Sequence, residues 1–439
     1  MQTVIIQYKD LTRWDIKNYL WLFRSSFSVE PLGKYIYEHS EKQKIGYQAD
    51  KEFPILGVTN KIGVYLNEYV KSERINQPYK KVKGGELTYN PYRVNVGSIG
   101  IVPDEYDNFY ISPAYVVFGT KEGLLNEYIY LVLSSSWFNP YLRAATSGSV
   151  RQNLTLDLLS ELNVPIPPLP TQKKIVEEWH KVRKQAEGLN KKAEEQEKEI
   201  DDFILRELGV EKKEYEKKKG EFVIWSKDLE RWDTYFYRED FFDLNKQFEK
   251  LNFDYLGKKA VFVSRPWNKN SFPSGVFNYV QISDVNKQNG IYNCEEVAVN
   301  EAPSRATQII QKDDVLISTT RPYLAAFAKV NDNFNGCVAS SGFSVIEKTT
   351  EDLDKDYLLE FLKSYAGIKQ LEQRMTGASY PAITQEELGK IKIPLPPLPK
   401  QKQIAKKVEK MRAGIQEIKN TADEILKQVQ NKIGDMLTG

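Results

Sequence analysis

The chain carries Val-Pro-Ile-Pro-Pro-Leu-Pro at residues 164–170, and a second copy, Ile-Pro-Leu-Pro-Pro-Leu-Pro, occupies residues 393–399. The pairs Gln172-Lys173 and Gln401-Lys402 follow the two copies at the same spacing. Proline removes a backbone donor and restricts the residue before it, so each stretch predicts an extended segment rather than the interior of a helix. A charged, periodic sequence begins directly afterwards. Each stretch therefore predicts the end of a globular domain.

The repetition extends along the whole chain. Asp-Leu-Thr-Arg-Trp-Asp at residues 10–15 returns as Asp-Leu-Glu-Arg-Trp-Asp at residues 228–233. From Glu127, which matches Asp356, the spacing between matching residues is larger and then stays constant. This increase in spacing places about eleven extra residues in the front part of the second copy, whereas the closing part has the same length in both copies. A period this long is not a solenoid unit, and it predicts two tandem copies of one module.

Beyond each proline stretch, apolar residues alternate at spacings of four and three, which is the heptad pattern of a coiled coil. The predicted coiled-coil seam consists of Ile175, Trp179, Val182, Ala186, Leu189, Ile200, Ile404, Val408, Met411, Ile415, Ile418, Ile425 and Val429. Neither helix has another long apolar stripe in the chain to pack against, so the expected partners are each other, packed antiparallel. Two alternatives remain open: a helix hairpin that only holds the domains apart, and helices that dimerise with another chain.

These patterns predict an α+β fold with two tandem α/β domains, separated by a pair of long antiparallel coiled-coil helices with pseudo-two-fold symmetry. The predicted first domain spans residues 1–170, and its helix and linker span residues 171–220. The predicted second domain spans residues 221–399, and its helix spans residues 400–439. Short β-rich segments with turn residues between them fill the front of each domain.

Composition excludes several classes of protein. Lys and Arg total 62 of the 439 residues and Asp and Glu total 60, and no apolar run is long enough for a membrane span. Two cysteines cannot build a disulfide framework, and the first residues lack the layout of a secretory signal, so we expect a cytoplasmic location. Two histidines exclude a histidine-based metal centre, and no phosphate-binding glycine motif is present. We therefore expect a non-catalytic chain without a metal.

Two variable domains, each closed by Pro-Pro-Leu-Pro-x-Gln-Lys and a heptad helix, resemble the DNA specificity (S) subunit of type I restriction-modification systems. The signature occurs at residues 167–173 and 396–402, and the resemblance covers essentially the whole chain. It implies that each domain is a target-recognition domain that reads one half of a split, asymmetric sequence in double-stranded DNA. It also implies that the paired helices set the gap between the two halves.

The same resemblance implies partners and places the cofactors on them. Two methyltransferase (M) subunits would use S-adenosylmethionine to methylate adenines. Restriction/translocase (R) subunits would use ATP and Mg to move DNA. No cofactor is expected on this chain, which would direct those subunits to the target.

Readout of bases needs polar and aromatic side chains on loops that reach the groove edges. The predicted DNA-binding residues are Tyr89, Asn90, Arg93, Ser147, Ser149, Arg151, Gln152, Arg265, Asn268, Lys269, Thr319, Thr320, Arg321, Tyr323, Ser379 and Tyr380. By contrast, Trp14 and Trp232 of the repeated Arg-Trp-Asp are predicted to be core anchors at the start of each domain.

Two other classes of protein remain open on the residues alone. A stand-alone DNA methyltransferase would bind S-adenosylmethionine as a purified chain, and a stand-alone nuclease would cleave DNA with a divalent metal. A coiled-coil scaffold protein without DNA specificity would use its heptads to pair with other chains.

The charge is distributed unevenly along the chain. Residues 221–399 carry 21 basic and 25 acidic side chains, so the second domain has a net charge of −4. Contacts to phosphates supply most of the sequence-independent affinity for DNA. We therefore expect the isolated chain to hold DNA weakly and its partner subunits to supply most of the affinity.

Overall fold

The computed structural model describes residues 25–39, 41–46, 48, 50–60, 62–93, 97–145, 153–213, 215, 224–225 and 229–438, with the backbone alone at Ala144, Ala145 and Lys269. The chain divides into two compact units. Unit 1 comprises residues 1–189 and 420–439, and unit 2 comprises residues 190–419. Among the described residues, no helix is both long enough and apolar enough to cross a membrane.

Unit 1 contains eleven described strands, nine of them in two main sheets and two in a separate pair. They are β1 (Val29–Pro31), β2 (Ile36–Glu38), β3 (Lys42–Gln43), β4 (Glu52–Thr59), β5 (Gly63–Lys71), β6 (Tyr79–Lys81), β7 (Leu87–Tyr89), β8 (Ile99–Ile101), β9 (Tyr110–Ile111), β10 (Val116–Thr120) and β11 (Asn163–Pro165). One sheet is antiparallel in the order β2-β10-β7-β8. The other has the order β3-β6-β9-β4-β5, with β4 and β9 parallel.

Unit 1 also contains three short helices and parts of both long helices, the second of which contributes residues 420–438. The helices of the first part of the chain are α1 (Asn126–Ser134), α2 (Asn139–Ala145), α3 (Leu156–Ser160) and the first part of α4 (Leu169–Leu208). Neighbouring side chains of strand β10 pack into two different hydrophobic clusters. Phe118 packs with these helices, and the preceding Val117 packs with residues of the second sheet. Alternation along one strand thus buries both faces of the antiparallel sheet.

Unit 2 contains twelve described strands. They are β12 (Phe253–Tyr255), β13 (Ala260–Val263), β14 (Val276–Val280), β15 (Val285–Asn286), β16 (Gly290–Ile291), β17 (Glu295–Ala298), β18 (Ala306–Ile309), β19 (Val315–Ser318), β20 (Phe327–Lys329), β21 (Val338–Ser340), β22 (Phe343–Thr349) and β23 (Lys392–Pro394). The antiparallel sheet has the order β13-β22-β19-β20. The second sheet has the order β17-β14-β21-β18, with β14 and β21 parallel.

The helices of unit 2 follow the plan of unit 1. They are α5 (Glu239–Phe248), α6 (Leu256–Lys259), α7 (Lys355–Lys363), α8 (Tyr365–Arg374), α9 (Gln385–Gly389) and α10 (Leu398–Thr438). Strand β19 alternates as β10 does, since Ile317 packs with the helices and Leu316 packs with the second sheet. The predicted α+β class with two tandem domains of one design is confirmed.

Each proline stretch is part strand and part helix. Strand β11 pairs with β1, and β23 pairs with β12, so the first prolines lie in extended backbone as predicted. The long helices begin at Leu169 and Leu398, inside the proline stretch and earlier than the sequence suggested. Proline is tolerated in the first turn of a helix, where its missing N–H has no intrahelical acceptor.

A buried glutamine ties each long helix to its domain. The side-chain Oε1 of Gln172 accepts from the backbone N–H of Leu125 at 2.9 Å, and its Nε2 donates to the carbonyls of Gly123 and Pro167, both at 2.9 Å. Gln401 repeats the arrangement in unit 2. Its Oε1 accepts from Asp354 N–H at 2.9 Å, and its Nε2 donates to the carbonyls of Asp352 and Pro396. The glutamine of the repeated signature therefore joins the helix, the proline stretch and the loop before α1 or α7.

The two long helices run antiparallel within unit 2. Glu197 on α4 pairs with Lys419 on α10 at 2.7 Å, and Glu207, further along α4, pairs with Lys400, which comes earlier on α10. Unit 1 contains the opposite halves of the same helices, where Glu178 pairs with Lys432 at 2.5 Å. Because these pairs lie on neighbouring helices inside one chain, they agree with the intramolecular arrangement.

Every predicted seam residue is buried or half-buried. In unit 1, Ile175, Trp179 and Val182 pack in one cluster with Val429. In unit 2, Ile200 packs with the seam residues of the first half of α10. The heptad pattern missed the helix ends, where the buried residues also include Ile204, Leu205, Leu208, Ile433 and Leu437.

Replacing Gln401 by leucine should destabilise unit 2. The substitution keeps similar bulk but leaves the Asp354 N–H and two carbonyls buried without their partners, which costs about 3 kcal/mol. We expect a lower urea midpoint for the full chain. The control is Lys402→Leu, which changes the neighbouring exposed residue. An equal midpoint for the two variants would contradict the role given to the glutamine.

Candidate nucleic-acid interface

The loop after β19 in unit 2 has unusual backbone geometry. Arg321 has φ 48° and ψ 55°, and Ala325 has φ 52° and ψ 38°, so two residues with side chains adopt the left-handed conformation. Between them lies a short 3-10 helix, Pro322–Leu324. Each such residue costs on the order of 1 kcal/mol or more, and such strain clusters at functional sites. The geometry marks this loop as a candidate site.

A second segment holds the strained loop in place. The backbone N–H and the Oγ1 of Thr319 both donate to the carbonyl of Gly342, at 2.8 and 3.0 Å. The Arg321 N–H donates to Pro381 O at 2.7 Å, and the Ile383 N–H donates to Thr319 O at 2.8 Å. Thr320 also forms an isolated β-bridge with Ala382. The predicted residues Thr319 and Thr320 are thus shown to fix the loop through these contacts.

The two segments together present a small exposed cluster. Tyr380 is 73% exposed, Leu324 57% and Tyr323 37%, and Ser379 is also exposed. The Arg321 guanidinium lies over the Tyr380 ring, with its carbon 5.0 Å from the ring centroid. Within the described part of the chain Arg321 makes no ion pair, so its donors remain available to a ligand. We call Arg321, Tyr323, Leu324, Ser379 and Tyr380 the unit 2 loop cluster.

Arg265, another predicted DNA contact, forms ion pairs with residues of unit 2. Its Nη1 donates to Asp314 at 2.7 Å and its Nη2 to Glu347 at 2.8 Å. The hydrogen bonds to Asp314 raise the pKa of Arg265, and those from Arg265 lower the pKa of Glu347. These contacts remove Arg265 from the candidate set. Asn268 is exposed and its Oδ1 accepts from the Asn270 N–H, while the side chain of Lys269 lies outside the described residues.

In unit 1 the equivalent loop follows β7, and one predicted contact is buried there. Tyr89 is 0% exposed, its Oη donates to Leu154 O at 3.1 Å, and burial raises the pKa of its phenol. A side chain in this position cannot reach DNA, so the prediction that Tyr89 binds DNA is wrong. The signal was present in the sequence, because Tyr89 lies two residues after the core residue Leu87 and therefore on the same face of the strand.

The rest of the unit 1 loop is exposed. The Asn90 Oδ1 accepts from the Tyr92 N–H at 3.0 Å, which uses this side chain to shape the turn. Arg93 is exposed, and the neighbouring Tyr92 is 55% exposed. Ser147, Ser149, Arg151 and Gln152 lie outside the described residues. The exposed aromatic beside an arginine parallels the pair in unit 2.

The two loops occupy the same place in their modules. In unit 1 the Leu154 N–H donates to Pro91 O at 3.0 Å, and in unit 2 the Ile383 N–H donates to Thr319 O. Leu154 and Ile383 are matching positions of the repeat. The loop after the central strand of each antiparallel sheet is therefore fastened to the same point of the fixed closing part.

A cleft beside the unit 1 loop distinguishes the two modules. It has a volume of about 380 Å³, and its lining includes Glu38, Tyr92, Asn153 and Asp157. The Asn153 Oδ1 is buried and has no hydrogen-bond partner within the described residues. The equivalent position in unit 2 is Ala382, which bridges Thr320. The difference between the two modules at this position is therefore the side chain, since Asn153 carries an amide oxygen and Ala382 carries no polar group.

The prediction that Trp232 anchors the core is also wrong. Trp232 is 96% exposed and is therefore not a core anchor, while Trp14 lies outside the described residues. Across the described ranges no group of three or more His, Cys, Asp or Glu side chains is arranged to hold a metal ion.

The fold and these loops define a class of protein: a duplicated α/β module in which an arginine and an exposed tyrosine follow one strand end, and each copy is followed by a long helix. The family model described as "Type I restriction modification DNA specificity domain" matches residues 33–197 and 253–428. The chain belongs to this family, and it contains the domain twice.

Three curated relatives are similar to parts of the chain. The putative type I restriction enzyme MjaX specificity subunit of Methanocaldococcus jannaschii is 33% identical over 30% of each chain. The HindI specificity subunit of Haemophilus influenzae is 27% identical over 32% of this chain and 30% of its own length. These two matches therefore span less than a third of the relatives' length. The MjaVIII specificity subunit of M. jannaschii is 23% identical over 74% of this chain and 73% of its own.

Solved structures with similar topology are distant. A chain from "Structural basis underlying complex assembly and conformational transition of the type I R-M system" is 16% identical with a TM-score of 0.49, covering 93% of this chain and 96% of its own. The HsdS subunit from Thermoanaerobacter tengcongensis is 16% identical with a TM-score of 0.38, covering 94% and 97%. Because these solved structures are so distant, the family assignment rests on the sequence match.

Replacing Arg265 by alanine should reduce stability without altering any binding preference. The Asp314 side chain is only 3% exposed, so removal of the guanidinium leaves a buried carboxylate without its counter-charge, at a cost of about 3 kcal/mol. The control is Lys312→Ala, which removes an exposed ion pair with Asp332. We expect urea unfolding to show a clear loss for the first variant and none for the second. A changed DNA sequence preference in Arg265→Ala would restore it as a contact.

Proposed function

We propose that this chain is the DNA-reading subunit of a type I restriction-modification system. It binds double-stranded DNA and reads a bipartite, asymmetric target, with one half read by each module. It directs methyltransferase and restriction subunits to that target. The main support is that both family matches fall on modules in which an Arg and an exposed Tyr follow the same strand end, Arg93 with Tyr92 and Arg321 with Tyr323.

The unit 2 loop cluster has the chemistry for readout of bases. A guanidinium can donate two parallel hydrogen bonds to O6 and N7 of guanine in the major groove. Stacking on the Tyr380 ring limits the directions that Arg321 can take, and the left-handed backbone fixes where its side chain starts. Tyr323 and Leu324 add aromatic and apolar surface beside it. A guanidinium held in one direction beside apolar contacts suits recognition of a base edge.

Unit 1 would read a different half because its loop carries different chemistry. The Asn153 Oδ1, which has no hydrogen-bond partner within the described residues, and the carboxylates of Glu38 and Asp157 line the cleft beside the loop. They are acceptors, which suit the exocyclic amines of adenine or cytosine. Tyr92 is placed to stack or pack beside them. A cleft lined by acceptors beside the loop of one module, and a guanidinium stacked on an aromatic ring in the loop of the other, support an asymmetric target.

In this proposal, the partner subunits catalyse DNA methylation and restriction. Two methyltransferase subunits would bring S-adenosylmethionine, and restriction/translocase subunits would bring ATP and Mg. The paired helices α4 and α10 would set the gap between the half-sites. The chain itself selects the sequence at which those subunits act.

Exchange of one module tests the proposal. Residues 1–170 would be replaced by the corresponding domain of another family member, and the chain would be assembled with its methyltransferase subunits. Because each module reads one half, sequencing of methylated DNA should show one half-site changed and the other retained. A methylation pattern that is unchanged, or changed in both halves, would reject the assignment of one half to each module.

Substitution of Arg321 tests the readout more finely. Arg321→Ala should relax the preference at one base pair of one half-site, because a bidentate contact contributes about 1–3 kcal/mol of discrimination. Tyr380→Ala should relax the same position, since the ring orients the guanidinium. Lys348→Ala, which removes a cation that is 73% exposed, is the control. Uniform weakening on all sequences would instead indicate a phosphate contact.

A further inference from the structure

Residues 221–399 contain six arginines, and the structure divides them into two groups. Four of them form ion pairs inside unit 2, namely Arg231 with Glu387, Arg238 with Asp240, Arg265 with Asp314 and Arg374 with Glu230. Within the described residues, Arg305 and Arg321 form none. Arg321 belongs to the unit 2 loop cluster, whereas Arg305 lies in a different loop, directly before β18.

The register of the strands places Arg305 beside the loop that follows β19. Strand β18 begins opposite Ser340, the last residue of β21, and strand β19 ends opposite Phe343, the first residue of β22. Residues 341–342 connect β21 to β22. Arg305 immediately precedes β18 and Thr319 immediately follows β19, so both lie next to this connection.

Backbone hydrogen bonds fasten this connection to both loops. The N–H of Ser341 donates to the carbonyl of Arg305 at 2.7 Å. The carbonyl of the next residue, Gly342, accepts from the N–H and the Oγ1 of Thr319, at 2.8 and 3.0 Å. Two consecutive residues of one turn therefore join the backbone of Arg305 to the segment that carries Arg321. The fold thus fixes the spacing between the backbones of the two arginines.

The segments that meet at this edge of unit 2 have no acidic residue. Asp and Glu are absent from the sequence of all four of them, which are residues 303–309, 319–325, 339–344 and 376–383. Residues 221–399 as a whole carry 25 acidic side chains against 21 basic ones. A domain with an excess of negative charge therefore has one edge built from segments that carry only positive charge.

The side chain of Arg305 is suited to binding a phosphate. It is exposed and, in the described part of the chain, contacts no acid and no aromatic ring, so its direction is not fixed as that of Arg321 is. Binding of a phosphate depends mainly on charge and tolerates several directions, whereas readout of a base edge needs a fixed one. Ser304 and Ser341 are exposed beside Arg305, and hydroxyls donate to phosphate oxygens.

We propose that Arg305, with the hydroxyls of Ser304 and Ser341, binds one phosphate of the DNA backbone next to the base that Arg321 reads. The proposal rests on the function proposed above. Phosphate contacts position a protein on the duplex, and base contacts specify the sequence. Because residues 341–342 fix the spacing of the two arginines, the bound phosphate sets the register of Arg321 along the half-site. A DNA phosphate is favoured over an acidic protein surface because Arg305 lies at the same edge as the unit 2 loop cluster.

The experiment measures DNA binding by the full chain assembled with its methyltransferase subunits. Arg305→Ala should weaken binding to target DNA and to random-sequence DNA alike, by about tenfold, because one charged hydrogen-bonded contact is lost. The slope of the logarithm of affinity against the logarithm of salt concentration should fall by about 0.9, the contribution of one phosphate. The methylated sequence should stay the same. Arg305→Lys keeps the charge and should recover most of the affinity.

Lys348→Ala is the matched control. It removes one exposed charge near the far end of β22, so a change in net charge alone would affect both variants equally. Duplexes with a single methylphosphonate provide an independent readout, because each lacks the charge of one phosphate. Neutralisation of one particular phosphate should weaken binding by the unaltered chain and should cause no further loss in Arg305→Ala.

The outcomes separate the possible failures. Arg305→Ala should unfold at the same urea midpoint as the unaltered chain, because its side chain has no ion-pair partner within the described residues. Unchanged affinity and salt slope would overturn the phosphate contact, while relaxed readout in Arg321→Ala would still support the proposed function. A relaxed base preference in Arg305→Ala would make Arg305 a base-reading residue and overturn the proposal.

Two further results would also decide against the proposal. Weaker binding of the methyltransferase subunits to Arg305→Ala, with the salt slope for DNA unchanged, would assign Arg305 to a protein interface. If the unaltered assembly showed no sequence preference, the proposed function itself would be rejected, and with it the role of Arg305 in setting the register.

Discussion

The buried side-chain amide at Gln172 and Gln401 is the interaction on which each module depends. One amide satisfies a backbone N–H and two carbonyls, and these groups belong to the long helix, the proline stretch and the loop before the next helix. Buried polar groups without partners are costly, so the three segments can meet in this way only when the glutamine is present. The Oη groups of Tyr128 and Tyr357 add a further bond to Pro165 O and Pro394 O, both at 2.8 Å.

This junction separates a fixed part of the module from a variable part. The closing part keeps one length in both copies, whereas the front of the second copy is longer. Both antiparallel sheets nevertheless bury both faces. The loop after the central strand is joined to the fixed part by backbone hydrogen bonds in each unit, and backbone bonds do not constrain side-chain identity. The loops can therefore differ in chemistry while their positions stay the same.

The fold could be predicted from the sequence because its determinants are periodic: a constant spacing revealed the duplication, and the heptads identified the long helices. The helix start was placed too late, because proline was treated as excluded although the first turn accepts it. The candidate site was predicted less well because it depends on contacts between distant residues. Arg265 pairs with Asp314 and Glu347, which lie 49 and 82 residues further along the chain. Trp232 was assigned to the core from its hydrophobicity, whereas neighbours that fasten its backbone leave the indole outside.

The distribution of ion pairs explains how a domain with a net charge of −4 can still select a DNA sequence. Arg265, Lys329 and Arg374 are each held by two carboxylates of unit 2, so their charges contribute little to the field around the domain. Charges in solution are screened over about 8 Å at physiological salt, which further limits long-range attraction. Arg321 differs because its guanidinium contacts an aromatic ring and forms no ion pair within the described residues. Its influence is therefore short-ranged and directional. In the proposed function, such a group would contribute little to binding on random DNA and much to discrimination between bases, and the partner subunits would supply most of the affinity.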